Sequence, residues 1–229
     1  MNRIKEKIKA VIFDMDGTII KTEHIWKDII QSFLRSKGIN QLNENQINLL
    51  KQNSSAGLYK TISIFKKELN LKGSIEDLLI QKTEFIKNYF TNKKVDFVEG
   101  FTAFHKRLQE KGIASGLATN ATIETCDILN KKIKLNNFFG KNIYTMEHVN
   151  NKAKPDPAIF LYTAKKLNVN PDQCIIFEDS HVGFQAAKNA GIKCIAVKNE
   201  FNEDIISNVH GYIEHYDQAE QELEKILYK

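Results

Sequence analysis

Read for its alternation of apolar and polar positions, the chain opens on a short apolar run, Ala10-Val11-Ile12-Phe13, that stops abruptly at Asp14-Met15-Asp16-Gly17-Thr18. Four apolar residues, two β-branched and one aromatic, predict a strand buried on both faces. Two acids followed by glycine predict that this strand ends in a tight, strongly negative loop. Ligands of an open parallel sheet bind beyond the carboxyl ends of its strands, which puts Asp14 and Asp16 where chemistry is usually done. Taken alone, an Asp-x-Asp-Gly is equally well a turn after a strand.

From about Lys21 to Lys94 the strand pattern vanishes and helical periodicity replaces it. Ile25, Trp26, Ile29, Ile30, Phe33 and Leu34 mark one face of a helix that Gly38 can close. Leu58, Ile62, Phe65 and Leu69 mark a second, and Ile75, Leu78, Leu79, Phe85, Ile86 and Tyr89 a third, longer one. Leu42 to Leu50 also reads as helical. An all-helical block after the first strand reads as an inserted cap domain over residues 21–94, carried by a core domain of residues 1–20 and 95–229.

Near Val95 strands and helices begin to alternate. Phe101 to Glu110 predicts a helix ended by Gly112, Ile113 to Ala118 a strand running into Thr119-Asn120, and Ile123 to Lys132 another helix. Asn142 to Thr145 is a short strand, followed by a polar loop from Glu147 to Lys154. In Lys154-Pro155-Asp156-Pro157 each proline keeps its predecessor out of the helical region, and Asp156 then caps a helix begun by Pro157. Cys174 to Phe177 is a second strand ending in acid, here Glu178-Asp179. The helix after it carries Gly183, Ala186, Ala187 and Ala190, small residues that let a helix lie close on a sheet, and Gly191 stops it. Cys194 to Val197 is the next strand, and the tail adds an edge strand at Tyr212-Ile213 and a covering helix from Gln218 to Leu227. Strands and helices in series predict an α/β fold with a doubly wound parallel sheet.

Composition narrows the class without naming a function. The 229 residues are 42% hydrophobic and 27% charged, as in an ordinary globular protein. A net charge of +5, spread over Lys-rich helix faces, gives no nucleic-acid footprint but suits an anionic small substrate. Cys126, Cys174 and Cys194 are odd in number and lack metal spacing, which predicts reduced, buried thiols and a cytoplasmic protein. The charged segment from Arg3 to Lys9 precedes too short an apolar run for a signal peptide or membrane span.

Thr119, Lys154 and Glu178-Asp179 each follow a strand or open a helix, so the topology can gather them with Asp14 at one sheet edge. Separately each has a plainer reading: Thr119-Asn120 and Glu178-Asp179 as helix caps, Lys154 as a solvated loop lysine. Together the set is similar to the haloacid dehalogenase superfamily. Lys154-Pro155-Asp156-Pro157 and Glu178-Asp179-Ser180-His181-Val182-Gly183, with Ala186-Ala187 and Ala190-Gly191, resemble its subfamily IA, the group of phosphoglycolate phosphatases and β-phosphoglucomutases. The resemblance covers residues 8–20 and about 98–198. It implies a Rossmann-like core with a helical cap, and a Mg²⁺-dependent phosphatase acting on a small phosphomonoester through an aspartyl-phosphate. By resemblance Asp14 is nucleophile and metal ligand. Asp16 gives its backbone carbonyl to the metal, and its side chain is acid, then base. Asp179 completes the metal site, with Glu178 as ligand or supporting partner. Thr119 and the Asn120 amide hold phosphate oxygens, and Lys154 offsets the carboxylate and phosphate charge.

The cap fits the pattern less well. Lys82 lies on the apolar side of its helix and resembles a cap lysine that touches substrate in some relatives; a lysine whose stem packs while its head reaches water reads equally well. Phosphosugar mutases of the group carry a His where this chain has Trp26 and an Arg near Ser55, and relatives commonly carry Asp where it has Lys21. These departures favour the phosphatase over the mutase. His24 is offset to another helix face, and His181 reads as a surface residue beside the acidic pair. A phospho-Asp signalling module is the alternative of another class, opposed by the helical insertion and by Asp16. The expected partner is a small phosphorylated metabolite, with no nucleic acid or membrane, for a monomer or weak homodimer.

Overall fold

The computed structural model describes residues 7–53, 57–199, 202–203, 206 and 209–228. Strands β1 (Ala10–Phe13), β2 (Ala114–Thr119), β3 (Ile143–Thr145), β4 (Cys174–Glu178), β5 (Lys193–Val197) and β6 (Gly211–Ile213) form one parallel sheet in the order β3-β2-β1-β4-β5-β6. The order reverses between β1 and β4, the switch point where ligands of such sheets bind. Successive strand residues point to opposite faces, so Val11 and Phe13 enter one apolar layer while Ala10 and Ile12 enter the other.

Four helices make up the block that follows β1: α1 (Glu23–Ser36), α2 (Glu44–Asn53), α3 (Leu58–Glu68) and α4 (Ile75–Asn92). Gly38 closes α1 as expected: at a φ of +80° its N–H bonds the Arg35 carbonyl while Ile39 N–H reaches Leu34. Phe33, Leu34, Ile62, Phe65, Leu71 and Leu78 form a small core of this block. Ile25, Ile29, Ile86 and Phe90 instead join the main layer that covers the sheet. The chain enters and leaves the block side by side, through an antiparallel bridge of Ile20 with Phe97 and the bonds Lys21 N–H to Asp96 O and Val98 N–H to Ile19 O.

After the block come α5 (Phe101–Glu110), α6 (Ile123–Ile133), the short α7 (Asn136–Phe139), α8 (Ala158–Lys166), α9 (His181–Ala190) and α10 (Ala219–Tyr228). Helices α5, α6 and α10 cover the Phe13 face, while α8 and α9 cover the Ile12 face. Lys132 on α6 donates to the carbonyls of Phe90 and Thr91 at 3.0 Å each, and to that of Lys93. It thereby satisfies the open C-terminal end of α4 with a cation, where the helix dipole favours one. An ion pair of Lys87 with Glu124, 3.0 Å, adds to this junction.

Two details differ from the sequence reading. The segment expected as a polar loop from Glu147 begins in a 3₁₀ turn, Met146–Val149, whose end residues are buried. Thr145 and His148 cap that turn reciprocally, a pattern too short to register as helical periodicity. Residues 136–139 add the unexpected α7, placing Phe139 beside Phe13 at 5.9 Å between ring centroids. All three cysteines are free and buried. Among the described residues no helix is long and apolar enough to cross a membrane.

Candidate active site

The register of β1 against β4 builds the centre of the site. Phe13 pairs with Phe177, and Asp14 N–H donates to Phe177 O at 3.0 Å, so Asp14 stands beside Glu178 at the strand ends. Both carboxylates share the face that carries Ile12 and Ile176. Into that gap comes Lys154, only 3% exposed, with its Nζ 2.5 Å from Asp14 Oδ1 and 2.7 Å from Glu178 Oε2. The ammonium also stands 4.7 Å over the ring of Phe160. A cis Lys154-Pro155 bond and a Lys154 N–H to Asn120 Oδ1 bond of 2.9 Å hold the loop that delivers it. Asp156 then accepts from Ala158 N–H at 2.9 Å, but α8 starts at Ala158 with Pro157 at its N-cap, one residue later than the spacing suggests.

Thr119 is the last residue of β2 and is buried; its Oγ1 accepts from Ala121 N–H at 3.0 Å, which leaves its own O–H to donate. Glu178 is fully engaged: Oε2 takes Lys154, and Oε1 takes Ser180 Oγ at 2.7 Å and the amides of Ser180 and Asp179. Gly183 allows this, because a Cβ there would lie 1.9 Å from Glu178 Cδ. Asp179 is held by Asn199 Nδ2 at 3.1 Å on Oδ2 and Thr18 Oγ1 at 3.4 Å on Oδ1, while Asn202 Nδ2 donates to its carbonyl at 2.7 Å. Gly17, at a φ of +75°, passes so close that a Cβ would lie 2.1 Å from Asp179 Oδ2. Tyr216, buried among Phe13, Phe101, Phe104 and Phe177, supports the same loop by donating its O–H to Thr18 O at 3.1 Å.

Burial, reinforced by Glu178, pushes the Asp14 carboxyl well above the ordinary range, against the pull of Lys154. Burial, with Glu178 and Asp14, does the same to Asp179. Lys154 is held protonated: burial disfavours its charge, but Asp14 and Glu178 outweigh that and raise its pKa. One ammonium faces four carboxylates, so the site lacks positive charge. Oxygens of Asp14, Glu178 and Asp179 lie within 4.8 Å of one another, a donor set suited to a hard cation.

Asp16 is half-buried beside this cluster, and its Oδ1 accepts from Thr22 Oγ1 at 2.7 Å and Trp26 Nε1 at 2.8 Å. Burial raises its pKa, and those two donors oppose the rise. Lys82 lies on the buried face of α4 with Leu78, Ile86 and Phe90; its ammonium stands 5.0 Å over Phe65, and burial lowers its pKa to about 7. His181, His24 and Lys21 are exposed, and Ser55 lies outside the described residues. Of the residues singled out from sequence, the structure thus gathers Asp14, Asp16, Thr119, Asn120, Lys154, Glu178 and Asp179 around one sheet edge. Thr22, Asn199, Asn202 and Tyr216 escaped sequence reasoning. Only Thr22 carried a signal, as a capping residue type at a helix start.

The sequence model of the haloacid dehalogenase-like hydrolases matches residues 11–197. The Bacillus subtilis protein YhcW is 31% identical over 197 residues, 84% of each chain. A Thermotoga maritima phosphorylated carbohydrates phosphatase is 29% identical over 82% of this chain and 84% of its own. Among solved structures, a family IA, variant 3 hydrolase of this type from Entamoeba histolytica superposes with a TM-score of 0.83 at 22% identity, covering 96% of this chain and all of the other.

Proposed function

The chain belongs to the haloacid dehalogenase-like hydrolase family and is a phosphoric monoester hydrolase of it; on that premise we propose that it hydrolyses a small phosphomonoester through a phosphorylated Asp14, with Mg²⁺ as cofactor. The observation that carries this reading is the buried Asp14–Lys154–Glu178 group beside Asp179 and Thr119 at the sheet's switch point. The acidic excess fits a divalent cation, and Asp14, Asp179 and the Asp16 backbone carbonyl would hold it. When bound, Mg²⁺ offsets charge between carboxylate and phosphate and keeps Asp14 ionised. Glu178, with both oxygens occupied, holds Lys154 in place.

Each residue then has a defined task. Asp14 attacks phosphorus while the ester oxygen leaves. Charge spreads over the phosphoryl oxygens in that step, and positioning plus electrostatic stabilisation lower the barrier. Thr119 O–H, the Asn120 amide and Lys154 Nζ supply donors to those oxygens. Asp16 protonates the leaving oxygen, then takes a proton from the water that frees Asp14. We read the block over residues 21–94 as a cap that shields the reaction from bulk water. Gly57 of that block comes close enough that its Cβ would stand 3.5 Å from Met146 Sδ and Ala153 Cβ, just ahead of Lys154. Lys82, a buried cation bonded to no described residue, would meet the substrate from the cap side. Sugar phosphates, the substrate class in the Thermotoga relative's name, are the first candidates.

Phosphate release from a panel of phosphomonoesters, with Mg²⁺, with chelator and with Asp14→Asn, tests the proposal. Turnover that needs the metal and falls at least a thousandfold in the variant supports it. Full activity of Asp14→Asn would refute it.

A further inference from the structure

Asp16 stands apart from the other carboxylates because its partners come from the helical block. Thr22 is fully buried at the N-cap of α1, yet its hydroxyl makes no bond to its own helix. A threonine there ordinarily accepts from the helix N–H groups; here the side chain turns to Asp16 Oδ1 instead. Trp26, one turn later, donates to the same oxygen. Its ring stands edge-on to Phe90 of α4, with centroids 5.3 Å apart and planes at 73°, which fixes the direction of the indole N–H. Among the described residues nothing bonds Asp16 Oδ2.

Building on the reading of Asp16 as acid and base, we propose that Trp26 is a positioning residue that dictates which oxygen of Asp16 carries the proton. An indole N–H donates and never accepts, and the carbonyl oxygen of a carboxylic acid accepts more strongly than its hydroxyl oxygen, so the bond from Trp26 to Oδ1 favours the proton on Oδ2. Thr22 imposes no such direction, since a hydroxyl donates or accepts. In the first half-reaction the bond from Asp14 to phosphorus forms, the ester P–O bond breaks, and the proton on Oδ2 passes to the leaving oxygen. In the second, a water oxygen bonds phosphorus, the Asp14 bond breaks, and a proton of that water returns to Oδ2. Trp26 touches no reacting atom. It acts through Asp16, and it makes the first turn of a cap helix responsible for where the proton is held.

Trp26 is the only tryptophan in the chain, so its indole gives a single peak in a ¹⁵N-labelled sample. In the 229-residue chain with Mg²⁺, that proton is expected downfield, as a donor to a carboxylate, and Asp16→Ala is expected to move it upfield. Trp26→Phe keeps a ring against Phe90 and removes the donor. Rates of the phosphorylation step are then compared for p-nitrophenyl phosphate, whose leaving group needs little acid, and for an alkyl phosphate, whose leaving group needs it. The ratio of alkyl to aryl rate is expected to fall about tenfold or more in Trp26→Phe, in the same direction as in Asp16→Asn. A ratio unchanged in Trp26→Phe, with the ratio collapsed in Asp16→Asn, would overturn the role of Trp26 and leave Asp16 as the acid. A ratio unchanged in both would overturn the Asp16 assignment and this inference with it. An indole peak indifferent to Asp16→Ala overturns the inference independently of activity and of how well Trp26→Phe folds.

Discussion

Replacing Lys82 by methionine should make the protein more stable and less active. The side chain is 3% exposed, accepts no described partner for its ammonium beyond the face of Phe65, and has its pKa lowered by burial from 10.5 to about 7. Between those two values the unfolded chain binds a proton that the folded chain resists. Wild-type stability therefore climbs as pH rises through this window, and is lowest near and below neutrality. The shift corresponds to about 4 kcal/mol at pH 7, of which the Phe65 ring returns about 1. Methionine keeps the length and apolar stem without the charge, so Lys82→Met should gain about 3 kcal/mol at pH 7. In urea unfolding with chelator present, that is a midpoint higher by about 1.5 M for a slope of about 2 kcal/mol/M. Near pH 10 the gap should shrink below about 1 kcal/mol, because the unfolded lysine is then losing its proton too. The same variant should lower kcat/KM for the preferred ester about tenfold or more, since a substrate phosphate or hydroxyl would lose its cationic partner. Stability equal to wild type, or a gap that does not change with pH, would refute the account of an unpaired buried cation retained for substrate.

Three further outcomes follow from the same geometry. His105, 1% exposed and bonded to Ser115 Oγ at 2.8 Å, has its pKa lowered by burial to about 4 from 6.5, so its contribution to stability is lost as pH falls through that range. Measured as the difference between wild type and His105→Phe/Ser115→Ala, which cancels the opposing effect of the raised carboxylates, the loss between pH 7 and 5 should be about 2 kcal/mol. Gly183→Ala should shift Glu178 and α9 apart, lowering the urea midpoint by about 2 kcal/mol equivalent and cutting phosphate release steeply; an active, stable alanine variant would contradict the close approach. Tyr216→Phe should destabilise by about 1 kcal/mol in thermal unfolding, by stranding the Thr18 carbonyl.

Much of the core was legible because each site residue sits where a period changes. Asp14 ends a four-residue apolar run, Thr119 ends β2, and Glu178 ends β4. Parallel strands buried on both faces advertise themselves as continuous apolar runs, and the acids that stop them mark the carboxyl edge. The Lys154 loop was legible through its prolines. What stayed hidden depends on contacts between distant segments. Asn199 and Asn202 reach Asp179 from beyond β5, and neither position differs in type from an ordinary loop asparagine. Tyr216, in a tail that reads only as an edge, is among the largest fully buried side chains, because its ring completes an aromatic cluster built from three other segments, β1, α5 and β4. The pairing of Trp26 with Asp16 is hidden too, since in sequence Trp26 offers only an apolar face residue and a departure from a family position.

The cation that closes the end of α4 also gives that helix the geometry of a lever. Lys132 fixes the carbonyl end of an 18-residue rod about 27 Å long. With that end pinned, a rotation of only about 10° would sweep the opposite end through roughly 5 Å and carry Lys82, about 15 Å from the pivot, through roughly 3 Å. That stroke is comparable to the span of a hydrogen bond. A modest swing of the rod would thus be enough to bring one ammonium into or out of hydrogen-bond reach, with Phe90 and Trp26 close to the fulcrum.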